Sequence, residues 1–144
     1  MQVAQVISGK GAEVFSISPE ATVGELVQAL NEYRVGALLV IDNASVLAGI
    51  VSERDVVRAL AKDSGAVDHH VRTIMTAEVV SVPPTFEVAD LMGLMTERRI
   101  RHVPVIDDQG ALVGLVSIGD VVKVRMDELE TERAALVDYI THGG

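Results

Sequence analysis

The sequence predicts an α+β fold: two pseudo-symmetric β-α-β-β-α repeats packed sheet to sheet, followed by a C-terminal helical extension. Three observations lead there. The phrase "GIVSERDVV" at 49–57 returns as "GLVSIGDVV" at 114–122. The phrases belong to a longer register, because a shift of 65 positions lays Val14 on Val79, Pro19 on Pro84, Leu26 on Leu91 and Arg34 on Arg99. The same shift lays "VID" at 40–42 on "VID" at 105–107. Finally, hydrophobic residues make up 49% of the chain while aromatics contribute only Phe15, Tyr33, Phe86 and Tyr139. Such an aliphatic, β-branched core suits strands covered by helices.

Each repeat is read element by element. "VFSIS" and "VVSVP" are short apolar stretches closed by proline, as a short strand would be. Val23, Leu26, Val27 and Leu30 then recur at helical spacing, matched by Val88, Leu91, Met92 and Met95. "ALLVID" and "HVPVID" read as buried strands ending in the polar turns "NAS" and "DQG". "VLAGIVS" and "ALVGLVS" return from those turns, so each pair forms a hairpin. A helix follows from residue 53 or 118. Pro104 departs from the pattern: it has no N–H for the ladder, so it should break the second central strand at an edge or bulge. A lone unit of this size would be a weak fold, and two units packed together would share a core. The boundaries expected are 1–62 for the first repeat with its lead-in, 63–78 for a linker, 79–125 for the second repeat, and 126–144 for the C-terminal helix and tail.

Along that last helix Val122, Met126, Leu129, Leu136 and Ile140 keep a three- or four-residue spacing, broken by Arg133. Glu128, Glu130 and Glu132 mark its wet side. Its apolar face needs a cover, from the protein's own body or from a second subunit. Met75, Met92, Met95 and Met126 are expected to fill the core.

Composition narrows the function. A net charge of −9 should repel a phosphate backbone, which argues against nucleic-acid binding but not against a small phosphate ligand. The absence of cysteine removes disulfides and thiol chemistry. The longest apolar run, around "ALLVI", is far shorter than the roughly 20 residues of a membrane helix. No basic-then-apolar secretion signal follows Met1. A cytoplasmic protein without membrane contact is the expectation. Among catalytic patterns, no triad spacing, P-loop or G-x-G-x-x-G is found. His69 and His70 are adjacent and would point apart, which is poor spacing for a metal.

The repeated phrase supports two readings. Ser52 with Asp55, and Ser117 with Asp120, have the spacing of a helix capping box, with Asp in place of the commoner Glu or Gln. That explanation needs no ligand. Alternatively, a helix start with free N–H groups and a serine hydroxyl favours a phosphate oxygen. The nearby carboxylate would repel phosphate but could accept both hydroxyls of a ribose. Gly49 and Gly114 would let backbone or ligand come close.

The paired G-h-h-S-x-x-D phrases (h, apolar), the "VID" strands, "VRTIMT" at 71–76 and "RRIRHVPVID" at 98–107 together resemble tandem CBS domains, the Bateman module. "SERDVVRAL" and "SIGDVVKVR" are similar to the small stand-alone CBS pairs of bacteria. The resemblance runs from about residue 10 to residue 125. It implies a regulatory sensor, not an enzyme, that binds an adenine nucleotide in clefts between the repeats and passes occupancy to an unknown regulated protein. AMP comes first among the ligands, with ATP, ADP or NADH as alternatives. It also implies a disc-like homodimer. Asp55 and Asp120 would hold ribose hydroxyls, and Ser52 and Ser117 would touch phosphate. Backbone at Ser16–Ile17 and Ser81–Val82 would frame the adenine. Arg99, Arg101 and His102, with Pro104 just beyond, cluster before the second central strand and read either as a solvated basic turn or as a phosphate grip led by Arg101 and His102. The matching first-repeat positions are Arg34, Gly36 and Ala37, so the two clefts should be unequal. The rival expectation is an interaction or structural module of the same fold with no nucleotide. An enzyme or metal protein using His69, His70 and His102 stands far behind.

Overall fold

The computed structural model describes residues 1–11 and 13–143 and divides into two units. One unit is Glu13–Val80. The other joins residues 1–11 to residues 81–143.

In the first unit, β1 (Ser16–Ile17) runs parallel to β2 (Ala37–Ile41), and β2 pairs antiparallel with β3 (Leu47–Ser52). The hairpin runs from Ala37 opposite Ser52 to Ile41 opposite Leu47, with an irregularity between Val40 and Ile41. Helix α2 (Val23–Tyr33) begins in a capping box, where the Thr22 hydroxyl accepts from the Glu25 amide at 3.1 Å. It ends at Arg34, a left-handed residue at φ 55° whose amide donates to the Leu30 carbonyl. Helix α3 (Glu53–Lys62) starts directly from β3. Val23, Leu26, Leu30, Leu38, Val40, Val51, Val56 and Val71 form the core. Val27, at 44% exposure, lies off the buried face. Phe15 and Tyr33 stack with ring centroids 4.2 Å apart. The stretch after α3 carries two 3₁₀ turns, Ser64–Asp68 and Val71–Thr73. Val71 donates to the Ala21 carbonyl at 2.8 Å, and Thr76 exchanges both backbone bonds with Ile50.

The second unit repeats this plan with α4 (Val88–Arg98), β4 (His102–Ile106) and β5 (Leu112–Ser117). Arg99 closes α4 at φ 54°, as Arg34 closes α2. An N-terminal helix, α1 (Val3–Lys10), is built into this unit. Its start is tied down by Val3 N–H to the Phe86 carbonyl and Ala4 N–H to the Pro84 carbonyl, both 2.9 Å. Val3, Val6 and Ile7 enter a core with Val82, Val88, Leu91, Met95, Val103, Val105, Val116 and Val121. Chain order sets residues 1–11 ahead of the first repeat; packing sets them on the second.

Pro104 does not break its strand. β4 is continuous through it, and Pro104 sits opposite Leu115 in the hairpin. The irregularity falls between Val105 and Ile106, matching the one in the first repeat, so proline is not its cause. What proline changes is the other edge. In the first unit Leu39 donates its amide to the Phe15 carbonyl at 3.4 Å. Pro104, one repeat later, has no amide to give. There the parallel pairing shrinks to a single bridge between Val82 and Val105, held by Val82 N–H to the Pro104 carbonyl and Ile106 N–H to the Val82 carbonyl.

Helix α5 spans Ile118–His142, and Val121 is its only buried residue among those described. Met126 is therefore not core: it is 64% exposed, because the helix outruns the body that covers its first turns. Glu128 is not on the wet side either. It is half-buried, pairs with Arg125 one turn back, and its Oε1 is buried without a hydrogen-bond partner. Among the described residues, no helix is long and apolar enough to cross a membrane.

Candidate ligand-binding site

The candidate site residues fall into two sets, one per unit. Ser16, Ile17, Ser52 and Asp55 belong to Glu13–Val80. Ser81, Val82, Arg99, Arg101, His102, Pro104, Ser117 and Asp120 belong to the other unit.

Within each unit a strand-to-helix junction sets the central pair. β3 delivers Ser52 to the start of α3, and the hairpin places Ser52 opposite Ala37. The Glu53 amide donates to the Gly36 carbonyl at 3.0 Å, which anchors the first helical turn. The second unit repeats this with Ser117 opposite His102 and the Ile118 amide on the Arg101 carbonyl at 2.8 Å. Both junctions are capping boxes. Asp55 Oδ2 accepts from the Ser52 amide at 2.8 Å and lies 3.1 Å from the Ser52 hydroxyl. Asp120 Oδ2 accepts from the Ser117 amide at 2.8 Å, and the Ser117 hydroxyl accepts from the Asp120 amide at 3.2 Å.

Both carboxylates remain half-exposed, so capping does not remove them from solvent. Their further surroundings differ. Among the described residues Asp55 has no ion pair. It borders a cavity of about 380 Å³ lined also by Arg58, Lys62, His69 and Thr73. His69 pairs there with Asp63 at 3.4 Å. Asp120 instead meets Lys10, whose Nζ lies 2.6 Å from Oδ2 and also donates to the Leu115 carbonyl at 2.8 Å. Burial by itself pushes the Asp120 carboxyl up. The hydrogen bonds from Lys10 and Ser117 outweigh it and hold the group below its ordinary 3.8.

The other candidates vary in what they offer. Ser16 and Ser81 are exposed, Ile17 is half-buried, and Val82 and Pro104 are buried. Arg99 and Arg101 are exposed, and His102 is half-buried on β4 beside the start of α5. Arg99 has a backbone duty as well, closing α4 in the left-handed region. His70 Nδ1 sits 2.8 Å from the Glu20 carbonyl, and no cluster of potential metal ligands occurs among the described residues.

Sequence reasoning passed over Lys10 and the helix that carries it. The available signal was the spacing of Val3, Val6 and Ile7, which share one helical face.

Residues 7–62 and 71–127 each match the profile of the CBS domain. A crystal structure of a CBS-domain protein from Agrobacterium tumefaciens superposes with a TM-score of 0.84 at 38% identity, covering 86% of this chain and 92% of that one. A mitochondrial CBS domain-containing protein of Arabidopsis thaliana is 40% identical over 127 residues, 85% of this chain and 61% of the plant protein's length. A CBS domain protein from Pyrobaculum aerophilum, solved in complex with AMP, has a TM-score of 0.73 at 28% identity, covering 83% and 89%.

Proposed function

The chain belongs to the CBS-domain family, and we propose that it is a regulatory sensor of an adenine nucleotide, with AMP as the first choice and ATP, ADP or NADH as alternatives. The observation that carries this reading is the duplicated Ser–Asp pair at two helix starts, with each carboxylate half-exposed. Serine hydroxyls at the positive ends of two helices suit phosphate, and an ionised aspartate suits a ribose diol. The AMP complex of the Pyrobaculum aerophilum relative supports the ligand class. Asp55 and Asp120 are assigned to ribose, Ser52 and Ser117 to phosphate, and backbone at Ser16–Ile17 and Ser81–Val82 to adenine. Arg101 and His102 add charge and hydrogen bonds for phosphate, beside Arg99. The protein regulates and does not catalyse, and a cytoplasmic location goes with a free nucleotide as ligand. Its net charge of −9 argues against a nucleic-acid partner.

Occupancy would be passed on through association. Helix α5 leaves Leu129, Leu136 and Ile140 more than half exposed. With Val122 and Met126 they fall at steps of four, three, seven and four residues, the seam pattern of paired helices interrupted at Arg133. A second copy of this chain offers the same seam, which supports a homodimer acting on a further regulated protein.

Calorimetric titration and thermal melting with AMP, ADP, ATP and NADH test the nucleotide reading. A ligand at 100 times its dissociation constant adds about 2.7 kcal/mol of apparent stability. If millimolar concentrations of all four give neither heat nor a melting shift, the second reading stands: an interaction module of this fold without nucleotide. One observation favours that second reading, since both carboxylates already accept bonds from the protein's own groups.

A further inference from the structure

Lys10 makes the two carboxylates chemically unequal. It is the last residue of α1, and its ammonium reaches across to Asp120 Oδ2 and to the Leu115 carbonyl. The salt bridge is neither deeply buried nor loose, with side chains 34% and 22% exposed. The rest of α1 holds it in place. Ile7 packs where a side chain at Gly114 would stand, and Lys10 is one turn further along.

The first unit solves the same local problem without a charge. There the carbonyl of Ile50, one repeat before Leu115, accepts from the Thr76 backbone amide at 2.9 Å. The residue one repeat after Lys10 is Met75, which packs on Gly49 and carries no charge. Asp55 is consequently left with Ser52 as its hydrogen-bond partner among the described residues. The Ser52 hydroxyl can rotate to another acceptor, which leaves Asp55 Oδ1, and the lone pair of Oδ2 not taken by the Ser52 amide, open to a cis-diol. Asp120 Oδ2 is already committed to a backbone amide and an ammonium.

We propose that Lys10 is a specificity-determining latch: Asp55 takes a ribose diol directly, whereas Asp120 takes one only after releasing Lys10. The proposal rests on the nucleotide reading above. Its consequence is ordered filling. The Asp55 site fills first, and sugar binding at Asp120 frees the end of α1, the one helix that joins the chain's beginning to its second repeat.

The test is calorimetric titration of the full chain with AMP and with 2′,3′-dideoxy-AMP, which lacks the diol. Wild type, Lys10→Met and Lys10→Gln are compared. Glutamine can still donate to the Leu115 carbonyl, so it preserves the packing role while removing the charge. Both variants should tighten AMP binding at the weaker site by about fivefold, the scale of a partly exposed ion pair. The gain should vanish with the dideoxy analogue and in the Lys10→Gln, Asp120→Asn double variant. Should either folded variant bind AMP at the weaker site no more tightly than wild type, Lys10 is not a latch. Weaker binding would instead make it a phosphate contact. If Lys10→Met melts early, Lys10→Gln decides the matter alone. Failure of AMP to bind wild type and both variants removes the nucleotide reading, and the latch with it.

Discussion

Ile7 stands in the space that a side chain on Gly114 would fill: its Cδ1 lies 3.0 Å from the position of a β-carbon there. A β-carbon on Gly49, the counterpart, would stand 2.6 Å from the Thr76 carbonyl oxygen. The first neighbour is the end of a flexible side chain, and the second is backbone held by the Ile50–Thr76 bridge. Gly49→Ala should therefore cost more than Gly114→Ala. We expect about 1–3 kcal/mol for Gly49→Ala, the range of overpacking, and less for Gly114→Ala. Urea denaturation of the two variants measures the order, and the reverse order would contradict this packing.

The two serines cap helices whatever else they do. Ser52→Ala and Ser117→Ala should each lower stability by about 1 kcal/mol. If the serines also touch phosphate, each change will weaken AMP binding in titrations run well below the melting temperature. A loss of stability with unchanged affinity would leave capping as their sole duty.

Asp55 and Asp120 separate along the same lines. Asp55→Ala should weaken the tighter AMP site by about tenfold or more, the scale of a hydrogen bond to a charged group. Asp120→Ala should affect the weaker site and leave the tighter one near its wild-type value. Equal effects on both sites would contradict the inequality set by Lys10.

Acid stability carries a signature of the Lys10–Asp120 pair. The folded state holds the Asp120 carboxyl below its ordinary 3.8. Its contribution is thus complete above that value and is lost as the pH falls through the lower, folded value. The melting temperature of Lys10→Gln should fall short of wild type at neutral pH. The deficit should close as the pH falls through the lowered folded value, where the carboxylate becomes neutral in both proteins. A deficit that persists unchanged in acid would assign the loss to packing rather than charge.

Self-association through α5 predicts a mass change. Leu136→Asp with Ile140→Asp places charge on two residues that are 62% and 74% exposed. The change should lower the molar mass seen by light scattering towards a single chain while leaving the two cores intact. Arg133→Leu, which completes the apolar seam, should raise association. Wild type that scatters as one chain at every concentration would rule the seam out as a dimer contact.

Much of this was legible in the sequence. The helix α2, its counterpart α4, both hairpins and the strand-to-helix junctions follow from local periodicity and from a register that appears twice. Ser52 with Asp55 and Ser117 with Asp120 were readable as capping pairs because capping depends on neighbours three residues apart. Pro104 does lie on an edge strand, as expected, but it does not break that strand, for a long-range reason. Its missing amide faces the single-bridge edge beside Val82, and the hairpin bonds on the other side need nothing from it. Met126 and Glu128 were misplaced because periodicity reports a helix's faces but not where the body beneath it ends.

The sequence alone determined a duplicated β-α-β-β-α unit and the identity of the two Ser–Asp pairs, since both are matters of short-range spacing. Tertiary structure alone decided that residues 1–11 fold onto the second repeat and that Lys10 meets Asp120, 110 positions away in the chain. An ion pair between such distant residues is encoded in no local pattern. It exists because Val3, Val6 and Ile7 bury one face of α1 in the second core, and that burial carries the ammonium at the helix end to the carboxylate.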